Sequence, residues 1–235
     1  MSEVLVAVSC HSWPQYVHQA IDSAYRQGEV SVAAFVDIGS HRDEYGDILS
    51  RYSNVEVVYI ESQGAARSRN AAFSYAAGHG YDFVLPLDDD DLLLYKAVER
   101  LLGIQQWAGA GVTYGDFWWF GARQRGFVCP EFSSEQLRAS PFIVSSSLIA
   151  VETWQTVKAA NGHGYDPKMD ELGGWEDYLF YLESDLLGCK FVHCPAPVLA
   201  WRQHAGSRSS AADRNQEVIV EYMRGKTGLT DFCPS

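Results

Sequence analysis

The run Asp88-Asp89-Asp90-Asp91 closes an apolar segment, Tyr81-Asp82-Phe83-Val84-Leu85-Pro86-Leu87. Four adjacent carboxylates repel one another, so a folded chain that gathers them calls for a cation. The segment before them has the length and composition of a buried strand, which sets the acidic run where that strand ends and a helix begins. In open α/β sheets ligands bind beyond the carboxyl ends of the strands. The feature therefore predicts a metal site that holds a phosphorylated ligand.

The rest of the chain supplies a frame for such a site. Its 235 residues, 47% hydrophobic and 20% charged, suffice for one globular domain with a sizeable core. No internal repeat, low-complexity tract or Pro/Ser-rich linker marks a boundary within residues 1–235. A formal net charge of -12 argues against a nucleic-acid surface, which needs clustered Lys and Arg. An anionic substrate must then be met by a metal or by a few placed cations. The opening residues carry no basic leader, and no later stretch approaches the length of a membrane span, so the expectation is a soluble, cytoplasmic protein. Five cysteines at irregular spacing fit free thiols in a reducing compartment.

Strand and helix alternate through the first half. Residues 4–8 read as a strand ending in Ser9-Cys10-His11. A helix follows, with Pro14 in its first turn and Val17, Ala20, Ile21 and Ala24 on one face. Residues 32–36 form the next strand and end in Asp37-Ile38-Gly39-Ser40. A short helix carrying Tyr45, Ile48, Leu49 and Tyr52 leads to a strand at 55–60, and an Ala-rich helix at 65–77 leads to the strand before the acidic run. This order implies right-handed crossovers and a mostly parallel sheet with helices on both faces. Three successive strand ends then carry Ser9, Asp37 and Asp88-Asp91, which such a sheet brings to one crevice. Hydrogen bonds to Asp37 and Asp88 can read a base and ribose there, while Asp90 holds a divalent cation against a diphosphate. Asp37 serves equally well as a turn residue, and Asp91 as a cap for the following helix.

Several motifs, in order, resemble the inverting glycosyltransferases of family 2, and the resemblance covers residues 4–209. Val8-Ser9-Cys10-His11 stands where that family has Pro-Thr-Tyr-Asn. Val36-Asp37-Ile38-Gly39-Ser40 resembles its Val-Asp-Asp-Gly-Ser turn, and Gly64-Ala65-Ala66-Arg67-Ser68-Arg69-Asn70 resembles its Gly-x-x-x-Ala-Arg-Asn segment. Leu87-Asp88-Asp89-Asp90-Asp91 resembles its Leu-Asp-x-Asp-Asp, which contains the metal-binding Asp-x-Asp. The resemblance implies the two-lobed GT-A fold, a Rossmann-type sheet with a smaller acceptor-side subregion. Residues 1–115 would form the nucleotide-sugar half, 116–209 the acceptor and catalytic half, and 210–235 a C-terminal helix and tail. It also assigns Ser9, Asp37 and Arg69 to the nucleotide, Asp88 to the ribose side and Asp90 to the metal. Arg67 is a rival for the role of Arg69, which could otherwise be a solvated helix residue.

In the second half, Trp175-Glu176-Asp177-Tyr178 precedes an apolar-periodic segment with Leu179, Leu182 and Leu186. First-turn acids often only complement a helix dipole. The family has a matching segment whose Asp is the general base, and the resemblance gives that role to Asp177, which would take the proton of an attacking hydroxyl. His204, in Trp201-Arg202-Gln203-His204-Ala205-Gly206-Ser207, resembles a family Tyr-Arg-x-His-x-x-Ser segment whose His completes the metal shell. Cys189, His193, Cys194 and His204 suggest zinc, but the spacing is not that of a knuckle. The aromatic run Phe117-Trp118-Trp119-Phe120 and the segment 140–146 are candidates for the acceptor side, because sugars stack on rings; Trp118 and Trp119 are as readily core residues. Val218, Ile219, Tyr222 and Met223 predict a tail helix packed on the body or on a second copy in a homodimer.

The expected activity is a metal-dependent (Mn2+ or Mg2+) inverting transfer of sugar from a nucleoside-diphosphate-sugar, a UDP-sugar foremost, to a hydroxyl of a carbohydrate or glycoconjugate. The alternatives are a nucleotidyltransferase, which the missing glycine-rich phosphate loop disfavours, and a non-catalytic nucleotide- or carbohydrate-binding module.

Overall fold

The computed structural model describes residues 3–37, 39, 41–61, 64–204 and 215–229. Ile38, Ser40, Ser207, Cys233 and the tail beyond residue 229 lie outside the described residues. Strands β1 (Val4–Cys10), β2 (Ser31–Asp37), β3 (Val55–Ile60) and β4 (Phe83–Asp88) run parallel in the order β3-β2-β1-β4. Helices α1 (Pro14–Tyr25), α2 (Arg42–Leu49) and α3 (Ala65–His79) connect them. Every residue of β1 is buried, as in a parallel strand covered on both faces. Helix α1 buries Val17, Ala20, Ile21 and Ala24 as their spacing predicts, with Pro14 at its start where its missing N–H is harmless. The register sets Ser9 beside Asp88 and Cys10 beside Val36, so the polar strand ends share one edge of the sheet.

After β4 the chain departs from expectation. No helix follows the acidic run directly. A turn leads into the two-residue strand β5 (Leu92–Leu93), and helix α4 (Ala97–Ala108) begins only afterwards. Strand β5 pairs antiparallel with β9 (Phe191–Gln203), which runs parallel to β6 (Val112–Gly121). Strand β8 (Leu148–Ala150) joins the halves by pairing antiparallel with both β4 and β6, and β7 (Arg125–Phe127) forms a hairpin with β6. The parallel first half thus continues into a mixed second half. On β6 the pleat sends Phe117 and Trp119 to one face, both against Trp201, and leaves Trp118 exposed on the other.

The remaining helices are α5 (Ser134–Ala139), α6 (Val151–Asn161), α7 (Lys168–Leu172), α8 (Glu176–Leu186) and α9 (Gln216–Thr227). Asn70 of α3 fastens the first half to them. Its side-chain oxygen accepts from Trp154 Nε1 and from Tyr165 N, both at 2.9 Å, and its nitrogen donates to the Tyr165 carbonyl at 2.7 Å. The expected tail helix is α9. It buries Ile219 and Met223 on the body, and Tyr222 donates to Asp166 at 2.7 Å. Among the described residues no helix is long and apolar enough to cross a membrane.

Replacing Asn70 by Ala strands the Trp154 and Tyr165 N–H groups, so urea unfolding is expected to show a loss of about 2–4 kcal/mol. Glu183 of α8 is buried, and burial, with Asp166 nearby, pushes its carboxyl up to about 7 despite the opposing charge of Lys226. A raised carboxyl in the folded chain means that stability is lost as pH rises from the ordinary carboxylate range through about 7. At pH 8 Glu183→Gln is therefore expected to exceed the parent in stability by about 1–3 kcal/mol, and at pH 4 to show no such gain.

Candidate functional site

The carboxyl ends of β1, β2 and β4 and the N-terminus of α8 enclose a cavity of about 260 Å3. Ser9, Asp37, Arg69, Asp88, Asp90 and Asp177 all line it. Arg67 does not: it reaches Asp170 at 3.3 Å and Glu171 at 3.8 Å. Asp170 also accepts from the N–H groups of Ala66 (2.9 Å) and Arg67 (3.2 Å), which closes the N-terminus of α3. Gly64 makes room for that carboxylate. A Cβ there would lie 2.1 Å from Asp170 Cγ, and its φ of +120° is one that side chains rarely adopt.

The four successive aspartates take four different partners. Asp88 accepts from Arg69 Nη2 at 3.1 Å. Asp89 turns inward and accepts from His11 N (3.1 Å), Trp13 N (3.2 Å) and the Tyr45 hydroxyl. Asp90 lies 2.7 Å from His204 Nε2. Asp91 accepts from Arg202 N at 2.7 Å and so binds β9; it caps no helix. Burial pushes the carboxyl of Asp89 up to about 6, with the charge of Asp90 adding to it against the Tyr45 hydrogen bond. Burial and then Asp88 raise Asp90, with His204 opposing, and burial, Asp90 and Asp88 raise Asp91 further. These groups are crowded with negative charge and shielded from water.

Asp37 is 3% exposed; its Oδ1 accepts from Gly39 N at 2.7 Å, and its Oδ2 lies 2.9 Å from His11 Nδ1. The residue thus closes a turn and also lines the cavity. Ser9 accepts from the Ser68 hydroxyl at 3.0 Å. Arg69, 2% exposed, is held between Asp88 and Glu176, which ties α3 to β4 and α8. Burial would lower its pKa, but Asp88 and Asp177 outweigh that and raise it, so the guanidinium is permanently charged. Asp177 accepts from Tyr178 N at 2.8 Å. His204 stands behind Asp90 with its ring 4.3 Å from that of Trp13. Phe117, Trp201, Trp175 and the expected segment from Pro141 to Ser145 complete the wall.

Among the described residues no three His, Cys, Asp or Glu side chains form a ready metal cage. The zinc alternative fails on geometry, since His193 pairs with Asp116 at 2.8 Å while His204 faces Asp90. Sequence reasoning missed the Asp89 clamp, the Glu176 partner of Arg69, and Arg202. The guanidinium of Arg202 lies over Tyr16 and Phe120 and reaches the Asp90 carbonyl at 2.7 Å. No local signal marks these partners, which come from elements 44–112 residues away.

The same arrangement of sheet and helices occurs in solved structures of S. aureus TarS. TarS 1-349 in complex with UDP-GlcNAc matches with a TM-score of 0.70 at 18% identity, over 93% of this chain and 65% of that one. TarS 1-349 in complex with UDP gives 0.65 at 15% identity, over 97% and 72%. Against the longer TarS structure the match covers 94% of this chain and 43% of that one, with a TM-score of 0.66 at 14% identity. The chain thus spans just under two thirds of the first of these structures. These likenesses establish the fold. Residues 5–132 match the model of glycosyl transferase family 2, and the chain belongs to that family. No curated protein matches the sequence.

Removing the Asp89 carboxylate takes away an acceptor shared by His11 N, Trp13 N and the Tyr45 phenol, and leaves Trp13 N with the Tyr45 hydroxyl at 2.8 Å. Asp89→Ala is therefore expected to lower the free energy of unfolding in urea by about 3 kcal/mol or more. Tyr45→Phe, which keeps the Asp89 carboxylate as acceptor for both N–H groups but removes the phenol oxygen that Trp13 N meets at 2.8 Å, is expected to lose about 1–2 kcal/mol in the same measurement.

Proposed function

We propose that this chain is a metal-dependent inverting glycosyltransferase that moves a sugar from a nucleoside-diphosphate-sugar, a UDP-sugar foremost, to an acceptor hydroxyl. The observation that carries the reading is the charge balance of the cavity. Among the described residues that line it, Asp37, Asp88 to Asp91, Glu176 and Asp177 stand against one permanently charged cation, Arg69, itself already paired. A diphosphate cannot enter such a field without added positive charge. Asp90 and His204 fit a divalent cation of the Mn(II) or Mg(II) class, being one carboxylate and one imidazole within 2.7 Å of each other. Such sites take few protein ligands and complete their shell with phosphate oxygens and water. When bound there, the cation would supply the charge that the departing diphosphate needs. Membership of family 2 and the fold shared with TarS structures in complex with UDP-GlcNAc and UDP support the choice of donor.

The chain's own residues divide the remaining work. Ser9 and Asp37 face the base and Asp88 the ribose, at neighbouring strand ends. Arg69, held by Asp88 and Glu176, keeps a fixed positive charge near the leaving group without reorganising. Asp177, at the first turn of α8, takes the proton of the acceptor hydroxyl as it attacks the anomeric carbon. One in-line displacement inverts that carbon and needs no covalent intermediate. On this reading residues 1–115 serve the donor and 116–209 the acceptor.

Calorimetric titration of UDP, GDP and dTDP, each with Mn(II) and with a chelator, tests the donor site. The expected outcome is metal-dependent binding with UDP tightest; absence of binding by all three would sink the proposal. Asp177→Asn is expected to lower the transfer rate by about 10²–10⁴-fold with UDP affinity unchanged. A normal rate in that variant would remove Asp177 from the mechanism.

A further inference from the structure

Trp175 adopts a conformation that its own backbone role does not explain. It is the N-cap of α8, with φ 63° and ψ 23°, in the left-handed region where a bulky residue is rarely found. An N-cap is ordinarily extended and offers a side-chain oxygen to the first turn, and Trp175 makes no capping bond. Gly173 and Gly174 before it also have positive φ, 103° and 149°, so three successive residues turn the chain from α7 into α8. A third glycine would complete this reversal without strain. What Trp supplies in its place is the ring. Strain of this kind persists where surrounding structure enforces it, and it gathers at binding sites.

The indole is half-buried, meets Tyr178 edge-on at 5.8 Å, and lines the cavity between Gly174 and Glu176. Asp177 is two residues further on, lining the same wall. The apolar side chains of Pro141, Phe142 and Ile143 line the same cavity. An aromatic face beside a carboxylate suits a saccharide, whose C–H face stacks on a ring while its hydroxyls seek acceptors. We propose that Trp175 is the platform on which the acceptor saccharide lays its C–H face, so that one of its hydroxyls reaches Asp177. This rests on the donor and acceptor roles assigned above.

Saturation-transfer NMR with methyl β-glucopyranoside, methyl β-galactopyranoside and N-acetylglucosamine as probes tests it, with the diamagnetic Mg(II) present and measured with and without UDP. The wild-type chain is expected to contact the C–H protons of at least one probe. Trp175→Gly should lose that contact and bind UDP unchanged, although loss of a ring packed against the core lowers its melting temperature. Trp175→Phe should keep the contact. The proposal is overturned if no probe touches the wild-type chain, if the contact survives in Trp175→Gly, or if Trp175→Gly loses UDP binding as well, which would make the ring a prop for the fold. Failure of the wild-type chain to bind UDP would strike the donor site instead, and the UDP-free spectra still score the sugar contact.

Discussion

Mutual repulsion in the run Asp88 to Asp91 is the constraint around which the molecule is arranged. The chain resolves it by sending the carboxylates to partners on several segments distant in sequence. Asp88 meets Arg69 of α3, Asp89 meets Tyr45 of α2 and the backbone after β1, Asp90 meets His204, and Asp91 meets the β9 backbone at Arg202. Each of these contacts reduces the cost of a buried charge, and together they tie the parallel half of the sheet to the mixed half. The acidic run is thus a structural hub as well as a candidate ligand site. Burial and crowding raise the carboxyls of Asp90 and Asp91, a penalty on their charged forms that added positive charge would relieve.

A second junction lies across the cavity. Arg69 joins β4 to α8 through Asp88 and Glu176, and Asn70, the next residue on α3, fastens Trp154 and Tyr165. Two consecutive residues, roughly 100° apart around the helix, therefore serve different neighbours, one lining the cavity and the other fastening the packing beside it. The N-terminus of this helix is closed by Asp170, which leaves Arg69, and not the helix end, as the fixed positive element at the site. One guanidinium thus links Asp88 to Glu176, the residue before Asp177.

Much of this was legible in the sequence because it depends on local pattern. The strands before Ser9, Asp37 and Asp88 read as apolar runs, and the face of α1 reads from the spacing of Val17, Ala20, Ile21 and Ala24. In a parallel sheet the ends of such strands must lie at one edge, so the convergence of Ser9, Asp37 and Asp88 follows from chain order. The segment after Asp91 was misread for the opposite reason. Leu92-Leu93 is too short to show periodicity, and it is a strand only because β9, a hundred residues later, offers an edge to pair with. Asp91 looked like a helix cap for want of any sign of Arg202. Nothing local separates Arg67 from Arg69 either; they diverge because Asp170 captures one while the rotation of α3 carries the other to Asp88.

The sequence by itself determined the alternation of strands and helices, the strand ends that form the cavity, and the family motifs that identify the chain. These rest on residue type and spacing within a few turns, where backbone geometry dictates which side chains share a face. Tertiary structure decided which of four adjacent aspartates faces inward, which arginine reaches the cavity, and how Trp175 and Asp177 come to share a wall. Those outcomes depend on electrostatic and packing contacts between residues far apart in sequence, and such contacts exist only once the chain has folded.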